Sequence, residues 1–466
     1  MSATPPKKSR VTVDSMLTIV SSMPVQWGQS TRLTALDHAM LPHSLHVIFY
    51  YEGSMSLNPN DDDPSLGFDK IRPSLCEVLT MFPLVTGRLA VDEDGKWEVR
   101  WTDAGVRMLR ARVEATVEEW LATADGEEEM ELVKWEDLPH DPSIWSPFRI
   151  QINEFQRGGV AIGLSCTHLL ADPTSVTLFF KAWTEIHRRQ AISNPPLLDL
   201  PNLYQNQSTT NTKLTSKKFD ESKGAGEESS SVTMATATFS FNSSVMEHHL
   251  SQIHDKFPNA TAFDFLTALF WTRIVHLKVP RDRKKESLSI CTDIRKHLDV
   301  PSPCVYFRNA LHFSQLMLDR NALEGSELRY VVEQVQHHMS KVEEEISLSL
   351  GCFTKMKNKY DPPFTMYGPG LTCVNMEHMI RTASPEGTTS YPSVYTTMFV
   401  EDVKPDHVSY QVGNVDGEGL ILVMPSPDEG LARRVTVTLP GEQMAKLLED
   451  DVILSLQPML ILSGRR

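Results

Sequence analysis

Gly163-Leu164-Ser165-Cys166-Thr167-His168-Leu169-Leu170-Ala171-Asp172 runs an apolar stretch straight into a histidine and, four residues later, an aspartate. The run Gly158-Gly159-Val160-Ala161-Ile162-Gly163-Leu164 that leads into it suits a buried strand bounded by glycines. Asp172 is followed by Pro173, Thr174 and Ser175 and then by Val176-Thr177-Leu178-Phe179-Phe180-Lys181-Ala182-Trp183. Capping residues with a proline in the first turn, ahead of an apolar run, are a helix-start signal. The motif is thus predicted at a strand-loop-helix junction.

An imidazole titrates near neutral pH and is the side chain best matched to taking a proton from an alcohol or amine. The junction reads as an acyl-transfer site, with His168 as its candidate base. The same spacing also arises where a histidine is only a hydrogen-bonded core residue. Asp172, placed at the start of a helix, also reads as an N-terminal capping carboxylate.

At 466 residues the chain is long enough for two domains, because single cores stop growing near roughly 250–300 residues. Between Gln205 and Ser231 lies a polar Ser/Thr/Lys/Glu-rich stretch with little to bury, read as a flexible surface linker. The expected map is residues 1–204, a linker over 205–231, and residues 232–466. In the second part, Gly419–Pro427 and Arg434–Leu439 read as strands about the turn Asp428-Glu429-Gly430, and Gly441–Asp450 as a helix. Arg381–Ser390 reads as a loop.

A net charge of −15, from 45 basic and 60 acidic side chains, argues against a nucleic-acid binder that neutralises phosphates. The six cysteines, at 76, 166, 291, 304, 352 and 373, show no metal-ligand spacing, which fits a reduced chain with no metal site. No apolar stretch of about eighteen residues is present, and the first residues lack the apolar run of a signal peptide. The expected location is cytoplasmic, with association at a membrane surface left open.

Further blocks lie along the chain in order. Arg32-Leu33-Thr34-Ala35-Leu36-Asp37 is followed by Ile71–Leu79 and by Phe82-Pro83-Leu84-Val85-Thr86-Gly87-Arg88-Leu89. Thr261–Trp271, Thr292-Asp293-Ile294-Arg295 and Tyr306-Phe307-Arg308-Asn309-Ala310 come later. With the His168–Asp172 motif, this set resembles the BAHD family of plant acyl-CoA-dependent acyltransferases. The resemblance implies two α/β domains of similar topology, mixed sheets flanked by helices as in chloramphenicol acetyltransferase, with a channel at their interface. It implies an acyl-CoA donor as co-substrate, no permanently bound cofactor, a small-molecule acceptor, and a monomer. In that scheme His168 takes the acceptor proton, while Asp172 turns away to pair with an arginine, for which Arg295 is the candidate.

Several positions depart from the family pattern. Phe399-Val400-Glu401-Asp402-Val403-Lys404-Pro405 stands where the family has a DFGWG motif followed by Lys-Pro, and only the Lys-Pro remains. Asn375 and Met376 stand where a hydroxyl residue and a tryptophan are usual, which makes Asn375 the candidate contact to the reacting oxygen. The basic run Arg281–Lys285 could meet coenzyme A phosphates or be a solvated loop. The departures are similar to two outlying branches of the family: the Eceriferum/Glossy proteins of cuticular wax, which act on the fatty-acid elongase at the endoplasmic reticulum, and a brassinosteroid-acylating group. Two classes of function follow, an acyltransferase and an elongase partner that dispenses with acyl transfer.

Overall fold

The computed structural model describes residues 8–26, 28–52, 68–93, 97–200, 232–278, 284–349, 366–380, 392–428 and 430–464. The linker at 205–231, the loop at 381–390, Cys352 and Arg281–Arg283 lie outside the described residues. Two large mixed sheets carry the fold. The first runs in the order Val11–Ile19, Val106–Val113, Phe148–Glu154, Val160–Thr167, Ser44–Tyr51, His407–Val412. The second runs Leu311–Asp319, Lys285–Asp293, Leu371–Asn375, Leu420–Pro425, Arg433–Pro440, Met234–Phe241, Met459–Ile461.

The strand that delivers the motif, Val160–Thr167, is interior to the first sheet and buried along its whole length. Being covered on both faces explains why it reads as an unbroken apolar run rather than an alternating one. Gly163 is required here. A Cβ at this position would lie 2.3 Å from the Leu132 carbonyl oxygen, so the segment crossing the back of the sheet could not pack.

Asp172 then caps the helix Pro173–His187, its carboxylate accepting from Ser175 N at 2.9 Å, with Pro173 in the first turn. Most of this helix is buried, and Phe180 stacks on Phe49 with ring centroids 3.7 Å apart. Each such fully buried side chain contributes about 1.5–3 kcal/mol relative to exposure, so packing rather than helix propensity holds the junction in place. Phe399, the aromatic left in the altered second motif, packs edge-on against Phe180, Trp183 and His187. That motif serves the core of the first domain.

The second sheet is backed by the helices Ala262–Leu277 and Leu328–Ser349. The two sheets do not divide where the sequence map places the boundary. His407–Val412, from the second half of the chain, pairs antiparallel with Ser44–Tyr51 and forms an edge of the first sheet. A strand's own residues carry no information on which sheet edge receives it when its partner lies more than 350 positions away.

That added strand closes a buried polar cluster behind the first sheet. Glu129 accepts from Tyr50 Oη at 2.8 Å, from Ser409 Oγ at 3.1 Å and from Gln411 Nε2. Burial nevertheless pushes its carboxyl up to about 7. The folded state therefore holds this proton between the ordinary value of 4.5 and about 7, where the unfolded chain has lost it. Its contribution to stability is complete below pH 4.5 and is lost as the pH rises through 7, on the order of 3 kcal/mol in all. Buried His43 and His46, both lowered to about 4, titrate with the opposite sign between 4 and 6.5. Urea denaturation of wild type and Glu129→Gln at pH 5 and pH 8 isolates the carboxyl: wild type should lose stability relative to the variant on going to pH 8. A stability difference that does not move with pH rules the effect out.

Candidate active site

His168 follows the end of the Val160–Thr167 strand, with its backbone nitrogen donating to His43 O at 3.0 Å. Its side chain is fully buried, and both ring nitrogens face residues of the second half of the chain. Nδ1 lies 3.0 Å from Asn309 Oδ1 and Nε2 lies 3.1 Å from the Tyr367 hydroxyl. The protonation pattern follows from Asn309. Its Nδ2 donates to Asp37 Oδ1 at 3.0 Å and to the His168 carbonyl at 2.8 Å, so Oδ1 is the end that accepts. Nδ1 therefore carries the hydrogen, and the Nε2 lone pair receives the Tyr367 hydroxyl. Burial holds the imidazole below its usual value, with the charge of Asp172 pulling the other way.

Asp37 is fixed in turn. It accepts from Thr34 N and Thr34 Oγ1, both at 2.7 Å, in the capping box that opens the short helix Ala35–Ala39. It also pairs with the fully buried guanidinium of Arg308, which reaches the Arg32 carbonyl at 2.8 Å. Arg308 stands at φ 152, in the region that favours glycine. Holding a long side chain in that conformation costs of order 1–3 kcal/mol, and the side chain is fixed there by its buried ion pair with Asp37.

Asp172 points away from the imidazole. Arg295 Nη2 donates to its Oδ1 at 2.9 Å, and Ala310 N donates to its Oδ2 at 2.9 Å. Arg295 also pairs with Asp293 and donates to the Tyr306 carbonyl at 2.9 Å. Thr174 Oγ1 donates to Asp293 at 2.8 Å and meets His378 Nε2 at 2.8 Å. Asp172 thus joins the start of the Pro173–His187 helix to the Ile294–Ala310 segment, and its capping and arginine-pairing roles coexist.

Asn375 ends the Leu371–Asn375 strand and its Oδ1 accepts from Glu377 N at 2.9 Å. Its carbonyl oxygen is engaged in that turn. Lys284 and Lys285 are exposed, and Lys285 begins a strand of the second sheet. Asp37, Asn309 and Arg308 lie in blocks quoted from the sequence, but nothing in those blocks states that they converge on His168. Tyr367 carried no sequence signal.

A model of the Transferase family matches residues 9–453, and the chain belongs to that family, the BAHD acyltransferases. It is 25% identical to Protein ECERIFERUM 26-like of Arabidopsis thaliana over 433 residues, covering 92% of each chain. It is 24% identical to Protein ECERIFERUM 2 of the same plant, over 95% of this chain and 98% of the other. A hydroxycinnamoyltransferase of Narcissus pseudonarcissus is 23% identical over 81% of this chain and 85% of its own. Among solved structures, vinorine synthase superposes with a TM-score of 0.66 at 17% identity, over 96% of this chain and 98% of that one. TRI101 of F. graminearum, complexed with coenzyme A and T-2 mycotoxin, gives 0.65 at 13% identity, over 92% and 99%. The two-domain arrangement of mixed sheets and flanking helices is that of these acyltransferases.

Proposed function

We propose that this protein moves an acyl group from coenzyme A to a hydroxyl or amine of a small plant metabolite, with His168 as general base. The observation that carries the reading is the tautomer fixed by Asn309: a hydrogen on Nδ1 and a lone pair on Nε2, the form a base must hold before it acts. Nε2 takes the acceptor proton as the acceptor oxygen or nitrogen attacks the thioester carbonyl. The imidazolium so formed sits in a buried site that disfavours its charge, so it returns the proton readily to the leaving thiolate. Asp172 and Arg295 hold the junction, and Asn375, whose Oδ1 accepts from Glu377 N, is the candidate contact to the reacting oxygen through its Nδ2. Incubation with a panel of acyl-CoA donors and hydroxylated acceptors, steroids and phenols included, should give acceptor-dependent release of free thiol. No release with any pair counts against the reading.

A second reading has its own support. Three relatives matched over more than 90% of both chains are ECERIFERUM proteins, and Tyr367 covers the very nitrogen that acyl transfer needs. In this reading the fold acts as a partner of the fatty-acid elongase at the endoplasmic-reticulum surface, and acyl transfer is dispensable. No described helix is long and apolar enough to cross a membrane, so such an association would be peripheral. Co-fractionation with elongase in membrane pellets, together with retained wax-chain extension by a His168→Ala variant, would favour it.

A further inference from the structure

Tyr367 is the residue at this site that the proposed reaction leaves without a task. Its ring is held edge-on by His43, with centroids 5.0 Å apart at 82°, and by Phe313 at 5.6 Å and 75°. It is 1% exposed, and its hydroxyl meets His168 Nε2 at 3.1 Å. Because Nδ1 carries the imidazole hydrogen, the phenol is the donor in that bond. An acceptor hydroxyl must form the same bond before it gives up its proton, and a neutral imidazole has one lone pair to offer. Two hydroxyls cannot hold it at once.

On the acyl-transfer reading above, we propose that Tyr367 is a specificity-determining residue that withholds His168 Nε2 from water and from weakly bound acceptors until an acceptor displaces its phenol. Burial raises the phenol well above its usual value, so it keeps its proton and blocks the base without being activated by it. The reaction held back is thioester hydrolysis. In that step a water O–H passes its proton to Nε2, its oxygen bonds to the acyl carbon, the C–S bond breaks, and the thiolate recovers the proton.

The test is Tyr367→Phe, which keeps the ring and its packing and removes only the hydroxyl. Freed of a neutral hydrogen bond of about 0.5–1.5 kcal/mol, acyl-CoA hydrolysis without acceptor should rise about 2- to 12-fold, and the acceptor KM should fall. The double variant Tyr367→Phe/His168→Ala should lose the added hydrolysis. Reaction of His168 with diethyl pyrocarbonate, an electrophile whose carbonyl is attacked by a free imidazole nitrogen, should also be faster in Tyr367→Phe. If wild type acylates acceptors while Tyr367→Phe changes neither hydrolysis nor KM, the inference is overturned and acyl transfer stands. If turnover instead falls in Tyr367→Phe, the tyrosine takes part in the reaction and the inference is again overturned. If neither protein releases thiol but the reagent labels His168 faster in the variant, acyl transfer fails while the covered nitrogen is upheld.

Discussion

Turnover of the His168→Ala variant is expected to be about 10²–10⁴-fold below that of the wild type, the usual worth of a positioned proton transfer. The readout is free thiol released from acyl-CoA in the presence of a working acceptor. The fold should survive. Removing the ring leaves Asn309 Oδ1 without its donor and the buried Tyr367 hydroxyl without its acceptor, a cost of about 1–3 kcal/mol each, but Asn309 keeps its bonds to Asp37 and to the backbone of residue 168. A fall of less than tenfold, roughly 1.4 kcal/mol of barrier, would mean another group takes the proton. Full rescue of a plant mutant by His168→Ala would move the biological role to the partner reading.

The other large effect is expected on stability. Asp172→Ala removes the acceptor for Ser175 N, Arg295 Nη2 and Ala310 N at once, and leaves Arg295 buried with half of its acidic company. Breaking a buried pair of this kind costs about 3–5 kcal/mol, a large share of the roughly 5–15 kcal/mol that holds a domain folded. Urea midpoints should show the loss directly, and activity should fall with it because His168 hangs on the same junction. Asp172→Asn, which retains one acceptor and the shape, should lie between. A midpoint unchanged in Asp172→Ala would show that the carboxylate does not hold the two halves together.

The strand-loop-helix junction was legible because its signals are local: the glycine-bounded apolar run, the capping aspartate and the proline in the first turn. The strands Leu420–Pro425 and Arg433–Pro440 and the helix from Gly441 were legible for the same reason. The partners of His168 were not. Asn309 and Tyr367 lie 141 and 199 positions away in sequence, and no periodicity reports contacts at that range. Arg295 was reachable as the partner of Asp172 only through the family resemblance. Arg308 illustrates a different limit: its block could be seen in the sequence, but not its positive φ or the buried carboxylate of Asp37 that holds its side chain.

The edge strand His407–Val412 bears on how the chain is made. At about 5–20 residues per second, the ribosome delivers it on the order of tens of seconds after Ser44–Tyr51, its neighbour in the sheet. Throughout that interval the nascent first domain presents an unpaired apolar edge, the surface on which chains join to one another. The late strand also brings Ser409 and Gln411, two of the donors to Glu129, so a buried carboxyl waits without its partners until synthesis is nearly over. Chaperone demand during synthesis should therefore fall on the amino-terminal half, although that half contains the motif and most of its own core.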